Sequence, residues 1–249
     1  MEKTTLETAD PNWKNLYEFG GAAALTMVVI IVLQMIAFMT APPPLEGTAI
    51  DWFKFFQNNK LFGLVGFELL MIIYMILSIP LTLSLYHALR RTDGAFTALY
   101  AVTSLLAVAF FISARPAFEM LLLSNQFAAA TTEAQRSVLL AAGEVTVATF
   151  HGTTFHVSYV LGSLSGLIIS FVMLKSNIFS KATAYVRIAS SIFDFGMYIP
   201  TIGLYISLFS VLFLFIWDIM VARRLFQLAQ FERIDFDVKS QKEIANVSG

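Results

Sequence analysis

The sequence predicts an all-α, polytopic membrane protein, and three observations support that class. Six long apolar segments follow one another along the 249 residues. Charged residues make up only 13% of the chain, whereas about 25% is usual in soluble domains. The mean hydropathy is +0.73. Because roughly 20 helical residues cross a hydrocarbon core, we expect six transmembrane helices in one bundle, at 19–40, 62–86, 95–114, 145–173, 182–200 and 203–222.

The residues before the first span do not resemble a cleaved signal peptide. Residues 1–18 are polar, and the apolar run that follows them is too long for the core of such a peptide. No small-residue cleavage pattern precedes the proline run at 42–44. We therefore expect a cytoplasmic N-terminal segment at 1–18, a six-helix transmembrane domain at 19–224 and a cytoplasmic C-terminal tail at 225–249.

The distribution of basic residues predicts the orientation of these spans. An even number of spans places both termini on one side of the membrane. Of the 16 Lys and Arg residues, twelve fall on that side and four on the other. The positive-inside rule then predicts a multi-pass protein of the cell inner membrane with both termini in the cytoplasm. The twelve are Lys3, Lys14, Arg90, Arg91, Lys175, Lys181, Arg187, Arg223, Arg224, Arg233, Lys239 and Lys242.

The predicted outer side carries two long loops, at 41–61 and 124–143. The first contains the aromatic stretch 51–56, for which we expect a helix in the lipid headgroup layer, with an ordinary aromatic belt as the alternative. The second is polar and predicts one helical turn at 132–136. The link at 200–202 is short, so the fifth and sixth spans are expected to form a tight hairpin.

Ionisable side chains within the spans are the best guide to a functional site, because each needs a partner or a water-filled cavity. Most of them fall in the predicted outer half of the bilayer. They predict a polar cavity that opens outward, or alternatively a structural network that holds the helices together. Asp194 lies too deep to reach the membrane surface, so a His of the fourth span is its expected partner. The candidate cavity residues are Glu68, Arg115, His151, His156 and Asp194.

Arg115 also has a candidate salt-bridge partner, because Glu119 follows it at the i, i+4 spacing of a helical ion pair. Asp218 is the exception in depth. It lies near the predicted cytoplasmic end of the sixth span.

A metal site is an alternative use of the same residues. His151 and His156 are five residues apart, about 140° around a helix, whereas familiar zinc-binding helices use i and i+4. A site with one of these histidines, Glu68 and Asp194 would match the three-ligand pattern of catalytic zinc. Nothing in the spacing requires it, so we predict no metal and no cofactor.

Small residues in the fourth span predict close helix packing. Gly162 and Gly166 are four residues apart, a spacing that lets two helix backbones approach. Packing inside the molecule is the favoured interpretation, and a homo-oligomer formed through this face is the alternative.

Known signatures exclude several classes of function. The chain has no phosphate-binding loop, nucleophile elbow or dinucleotide fingerprint. It has no cysteine, and its net charge of −1 gives no basic field for nucleic acid. We expect a membrane protein without enzymatic activity that binds a lipid or small amphiphile in the outward cavity or supports a partner. The alternative is a membrane-embedded hydrolase or transferase that uses His and carboxylates, with or without a metal.

One stretch of the chain resembles a known family. Its features are His151-Gly152, the small residues Gly162 and Gly166, the segment 174–179, Arg187-Ile188-Ala189 and Asp194. Together with the length and the six-span pattern, they resemble the bacterial membrane family called domain of unknown function 4386. The resemblance implies a helical membrane fold and no assigned activity.

Overall fold

The computed structural model describes the backbone of residues 13–247 and the side chains in that range except those of residues 204 and 231–247. All regular structure in this part of the chain is helical. The helices are α1 (Lys14–Thr40), α2 (Ala49–Asn58), α3 (Lys60–Gly66), α4 (Leu69–Leu89), α5 (Gly94–Ser113), α6 (Ala117–Ala129), α7 (Glu133–Phe150), α8 (Thr153–Lys175), α9 (Lys181–Phe195), a 3-10 turn (Gly196–Tyr198) and α10 (Gly203–Val247).

Five helical stretches of the described chain are long and apolar enough to cross a membrane, which confirms the class of protein. They are α1, α4, α5 continued by α6, α7 continued by α8, and residues 205–230 of α10. The fifth predicted span is shorter than expected. Its α-helix, α9, ends at Phe195, and the 3-10 turn completes it. The predicted tail begins inside α10, whose backbone stays helical to Val247.

Six helices form a closed ring. α1 packs against α4 and α10, α4 against α5, α5 against α8, α8 against α9, and α9 against α10. Apolar side chains from all six helices meet in one core, which includes Met27, Leu85, Tyr100, Ile169 and Leu225. α9 therefore fills a place in the ring equivalent to that of the longer helices.

One end of this bundle, here called the tail end, gathers the segments that the charge pattern predicts to share a side. The ring of Trp13 stacks on that of His87, with centroids 4.0 Å apart. Lys175 Nζ lies 3.0 Å from Asp93 Oδ2. Arg224 Nε donates to the carbonyl of Ile178. These contacts join the start of α1, the α4–α5 turn, the α8–α9 loop and α10.

The opposite end carries a helical cap made of α2, α3, α6 and α7. The cap has a core of its own, formed by Trp52, Phe53, Phe56, Phe67, Met120 and Phe150. The helix predicted at 51–56 is therefore present within α2. Its Trp52 and Phe53 are fully buried, however, so they pack against other protein side chains and are not exposed to lipid headgroups. The second predicted loop, 124–143, is the tip of a helical hairpin between α6 and α7.

Two predicted spans are interrupted where the cap joins the bundle. The span at 62–86 breaks between α3 and α4, where Glu68 adopts a left-handed conformation with φ 63°. The span at 145–173 breaks at His151 and Gly152, between α7 and α8. Hydropathy continues through both breaks, so the sequence pattern does not reveal them.

The link between α9 and α10 is as tight as predicted. A Cβ atom on Gly203 would lie 2.4 Å from the carbonyl oxygen of Met197, so only glycine fits there. Pro200 lies in this link, whereas Pro80 lies within α4 and does not end it.

Candidate functional site

The five predicted site residues lie in three places and do not line one cavity in the described part of the chain. Glu68 and Arg115 join each other at the junction of cap and bundle. His151 lies at the α7–α8 break, where its Nε2 is 3.0 Å from the carbonyl oxygen of Leu45. His156 and Asp194 belong to a polar cluster between α8, α9 and α10.

Arg115 connects three helix breaks. Its Nε donates to Glu68 Oε2 at 2.5 Å. Its Nη1 donates to the carbonyls of Ala114 and Phe150, at 3.2 and 3.1 Å, where α5 and α7 end. A cation is favourable at a helix C-terminus, where carbonyls lack partners in the helix. The guanidinium thus neutralises one carboxylate and satisfies two helix ends.

Aromatic rings shield this charge. The Arg115 guanidinium carbon lies 4.4 Å from the ring centres of Phe111 and Phe150 and 4.6 Å from that of Phe155. Only 2% of its side chain is exposed. The i, i+4 pairing with Glu119 is not formed, because Glu119 points outward from α6. Arg115 therefore acts as the joint between cap and bundle.

Asp194 is the centre of the second polar group. Its Oδ1 accepts a hydrogen bond from the Tyr159 hydroxyl and its Oδ2 one from Ser163, each at 3.3 Å. Both donors belong to α8, and Ser207 and Ser210 of α10 interact with Tyr159. The expected histidine partner was wrong, since these neutral hydroxyls hold the carboxylate.

His156 lies on α8, one helical turn before Tyr159. Its Nδ1 is 3.4 Å from the hydroxyl of Tyr198, in the 3-10 turn after α9. The rings of Phe155 and Tyr159 pack together, with centroids 5.6 Å apart. Both His156 and Tyr198 are exposed, whereas Asp194 is half-buried. The group formed by Asp194, Tyr159, Ser163, His156 and Tyr198 is called the aspartate–tyrosine site below.

No cationic nitrogen in the described part of the chain lies within 4.0 Å of the Asp194 carboxylate. Two other carboxylates have such a cation, whereas Asp218, like Asp194, has none within 4.0 Å among the described residues. Glu68 contacts Arg115, and Asp93 contacts Lys175. Asp194 is thus a half-buried carboxylate whose hydrogen bonds in the described part of the chain come from neutral hydroxyls.

A third polar group lies nearer the tail end and was not predicted as a site. Asp218 is fully buried, and its Oδ2 accepts from the Tyr74 hydroxyl at 3.2 Å. Among the described residues its Oδ1 has no hydrogen-bond partner. Arg187 of α9 lies within electrostatic reach of both groups, and its guanidinium stacks 5.3 Å from the Trp217 ring centre. Arg187, which was counted with the basic residues of the cytoplasmic side, lies in the second turn of α9 and packs against Gly166 and Trp217.

Gly166 makes room for Arg187. A Cβ atom on Gly166 would lie 2.7 Å from the Arg187 guanidinium carbon and 2.5 Å from Ser191 Oγ. Gly162 faces open space, with no atom within 4 Å of such a Cβ. Of the two predicted packing residues, Gly166 is therefore used between α8 and α9 within the molecule.

The helical spacing of uncharged polar residues is a sequence signal that would have located these polar groups, which ionisable residues alone did not. On α8, polar or small residues recur at intervals of three or four along one face, and α9 and α10 carry matching stripes. The three stripes face one another across the aspartate–tyrosine site and the Arg187 group. The residues are His156, Tyr159, Ser163, Gly166 and Ser170 on α8; Arg187, Ser190, Ser191 and Asp194 on α9; and Ser207, Ser210 and Asp218 on α10.

The proposed metal ligands do not converge. Within residues 13–230, whose side chains the structure describes apart from residue 204, no three His, Cys, Asp or Glu side chains form a group that could hold a metal ion. His151, His156, Glu68 and Asp194 each have a different partner.

The helix ring, the cap and the internal polar stripes define a polytopic helical membrane protein with polar groups between some of its helices. The family comparison assigns it further. The model of the family described as domain of unknown function (DUF4386) matches residues 22–229, so the chain belongs to that family. No curated protein and no solved structure matches the chain.

Proposed function

We propose that this protein binds a lipid or small amphiphile at the aspartate–tyrosine site and does not catalyse a reaction. The observation that carries this proposal is the half-buried Asp194 carboxylate, held by the hydroxyls of Tyr159 and Ser163, with the exposed His156 and Tyr198 one helical turn away on α8 and after α9. Ionisable groups inside a membrane protein are costly and mark functional sites by default. A polar group near exposed aromatic rings suits a ligand with a polar head and an apolar tail.

The proposal includes six membrane crossings, with both termini in the cytoplasm and the cap outside the inner membrane. α9 supports the sixth crossing, because its first turn lies at the tail end and Tyr198, just after it, contacts His156 at the start of α8. At 1.5 Å per residue, α9 and its 3-10 turn reach about 27 Å, close to the thickness of a hydrocarbon core. The tail end also carries Arg90, Arg91, Lys175 and Lys181, as the positive-inside rule requires of a cytoplasmic face.

The geometry favours binding over hydrolysis. In hydrolases with a Ser-His-Asp arrangement the histidine is oriented by a carboxylate, and neither predicted histidine contacts a carboxylate among the described residues. His151 contacts a backbone carbonyl, and His156 contacts a tyrosine hydroxyl. Glu68, the other predicted carboxylate, is paired with a buried arginine that holds the fold.

Native mass spectrometry of the protein extracted in a mild, neutral detergent tests this proposal. We expect one lipid-sized adduct to persist as collision energy rises, after loosely attached lipids are lost. Asp194→Leu should remove the persistent adduct, because it deletes the polar anchor. Glu119→Gln is the matched control, since Glu119 is an exposed carboxylate of the cap. Bare parent protein under conditions that retain the folded state would contradict the proposal.

A further inference from the structure

We infer that the ligand of the aspartate–tyrosine site carries a cationic amine head, so that the site selects amine-bearing lipids. This inference rests on the proposed function and adds the chemical class of the ligand. The juxtaposition behind it is one carboxylate that lacks a cation, hydrogen-bonded to Tyr159, with the exposed pair His156 and Tyr198 one helical turn away on α8 and after α9.

The charge of Asp194 is the first argument for a cationic head. A carboxylate removed from water is stabilised by a nearby positive charge. Asp194 receives hydrogen bonds from two neutral hydroxyls, and no Lys, Arg or His nitrogen of the described chain is within 4.0 Å. An ammonium group placed against the carboxylate would supply the missing charge. An anionic head would be repelled by it.

The neighbouring arginines do not fill this role. Arg115 lies on the far side of Phe155, where Glu68 already neutralises it. Arg187 is on the same helix as Asp194, but seven residues earlier, about 10 Å along the axis. Its guanidinium packs on Trp217 and donates to Ser190. Both cations are thus engaged elsewhere.

The nearby tyrosine rings are the second argument for a cationic head. A cation within about 6 Å of a ring centre is attracted by the electron-rich face of the ring. Tyr159 contacts Asp194 directly, and Tyr198 follows Asp194 by four residues and packs on His156, with ring centroids 5.7 Å apart. Tyr198 is 45% exposed, so a ligand head can reach it from the surrounding bilayer. Carboxylate and rings together therefore favour an alkylated or primary ammonium.

Binding of two lipids with identical tails tests the inference. The probes are dioctanoyl phosphatidylethanolamine, which carries an ammonium, and dioctanoyl phosphatidylglycerol, which does not. They are titrated onto delipidated full-length protein in neutral detergent and followed by native mass spectrometry. We expect about tenfold tighter binding of the ethanolamine lipid, a ratio typical of one desolvated cation contact.

Variants of the site test whether the preference for the ethanolamine lipid arises at Asp194. Asp194→Asn should bring the two affinities close together, while Glu119→Gln should keep the tenfold ratio. Should Asp194→Asn fail to give folded protein, Tyr198→Leu changes an exposed residue of the same site and should also reduce the ratio. A preference that survives both site variants would overturn the inference.

The outcomes separate the two proposals. Equal binding of both lipids by the parent would overturn the amine head and leave lipid binding standing. Binding of neither would overturn both. Free ethanolamine, which has no tail, is the last arm. We expect no competition from it at the concentration of lipid used, and full competition would make the ligand a soluble amine and contradict the lipid.

Discussion

At the scale of single residues, Arg115 shows how a buried charge can organise a membrane protein. Its side chain contacts Glu68, the ends of α5 and α7, and three phenylalanine rings. Glu68 in turn adopts a left-handed conformation, which costs a non-glycine residue on the order of 1–2 kcal/mol. The ion pair offsets that strain, so the two residues depend on each other.

Replacement of Arg115 should be strongly destabilising. Arg115→Met leaves Glu68 without its cation and two carbonyls without donors, so we expect a loss of about 3 kcal/mol. Thermal unfolding in detergent measures the change. The matched control is Arg136→Met, because Arg136 and Glu133 form an exposed pair, with Glu133 93% exposed. That variant should cost under about 1 kcal/mol. Equal effects of the two substitutions would contradict the assigned role.

The two glycines of α8 provide a comparison within one helix. Gly166→Ala would bring a methyl group to 2.7 Å from the Arg187 guanidinium, and we expect a loss of about 1–3 kcal/mol. Gly162→Ala meets nothing within 4 Å and should be neutral or stabilising by up to about 1 kcal/mol. Unfolding temperatures of both variants check this. If Gly162→Ala is the more damaging, that glycine contacts a second molecule, as the predicted oligomer requires.

At the scale of elements, run length predicted the simple helices well. The spans expected at 19–40 and 95–114 correspond to α1 and α5. The breaks at Glu68 and His151 were missed, because the apolar pattern continues through them while contacts from Arg115 and the cap impose them. Much of the cap was predicted as loop for a similar reason, with helix expected only at 51–56 and 132–136 and with parts of α3 and α7 assigned to spans. Its helices are short and are stabilised by a core shared between distant segments, which a local pattern does not reveal.

The candidate site was only partly predictable. Asp194 and His156 were found because charged groups in apolar runs are conspicuous. Tyr159 and Ser163 were missed because neutral hydroxyls are common in membrane helices, and which of them faces a carboxylate depends on helix rotation. The packing of Arg187 was not predicted, because its place near the start of a span does not show which way its side chain points, whereas its contacts with Gly166 and Trp217 do.

The Asp93–Lys175 contact at the turn between α4 and α5 should make the stability of the protein depend on pH. Lys175 holds the pKa of Asp93 below its usual range by a hydrogen bond, and the backbone N–H of Phe96 lowers it further. Because the folded-state pKa is lower than the unfolded one, ionised Asp93 stabilises the protein above about pH 4, and this contribution is lost as pH falls through the folded-state pKa.

Asp93→Asn isolates this effect, because asparagine also caps a helix but does not ionise. The melting temperature of the parent should fall more steeply than that of the variant between about pH 5 and pH 3. Lys175→Met should flatten the difference as well. Parallel curves for parent and Asp93→Asn would show that the contact does not affect stability.

At the scale of the whole molecule, six helices close into a ring with charge-bearing groups inside and a helical cap at one end. The absence of cysteine from the sequence makes the orientation simple to measure. Thr131 lies at the tip of the cap and Asn177 in the α8–α9 loop, and each is replaced by cysteine in a separate variant. An impermeant maleimide should label the first in intact cells and the second only after permeabilisation. The reverse pattern would invert the topology.

Photo-crosslinking with a phosphatidylethanolamine that carries a diazirine near its head tests the central claim most directly. The claim is that an amphiphile binds between α8, α9 and α10 with its head at Asp194. We expect peptide mapping to place the crosslinks at His156, Tyr159 and Tyr198, and excess unlabelled lipid to suppress them. Crosslinks spread evenly over the outer faces of α1, α4 and α5, unaffected by competitor, would contradict the claim.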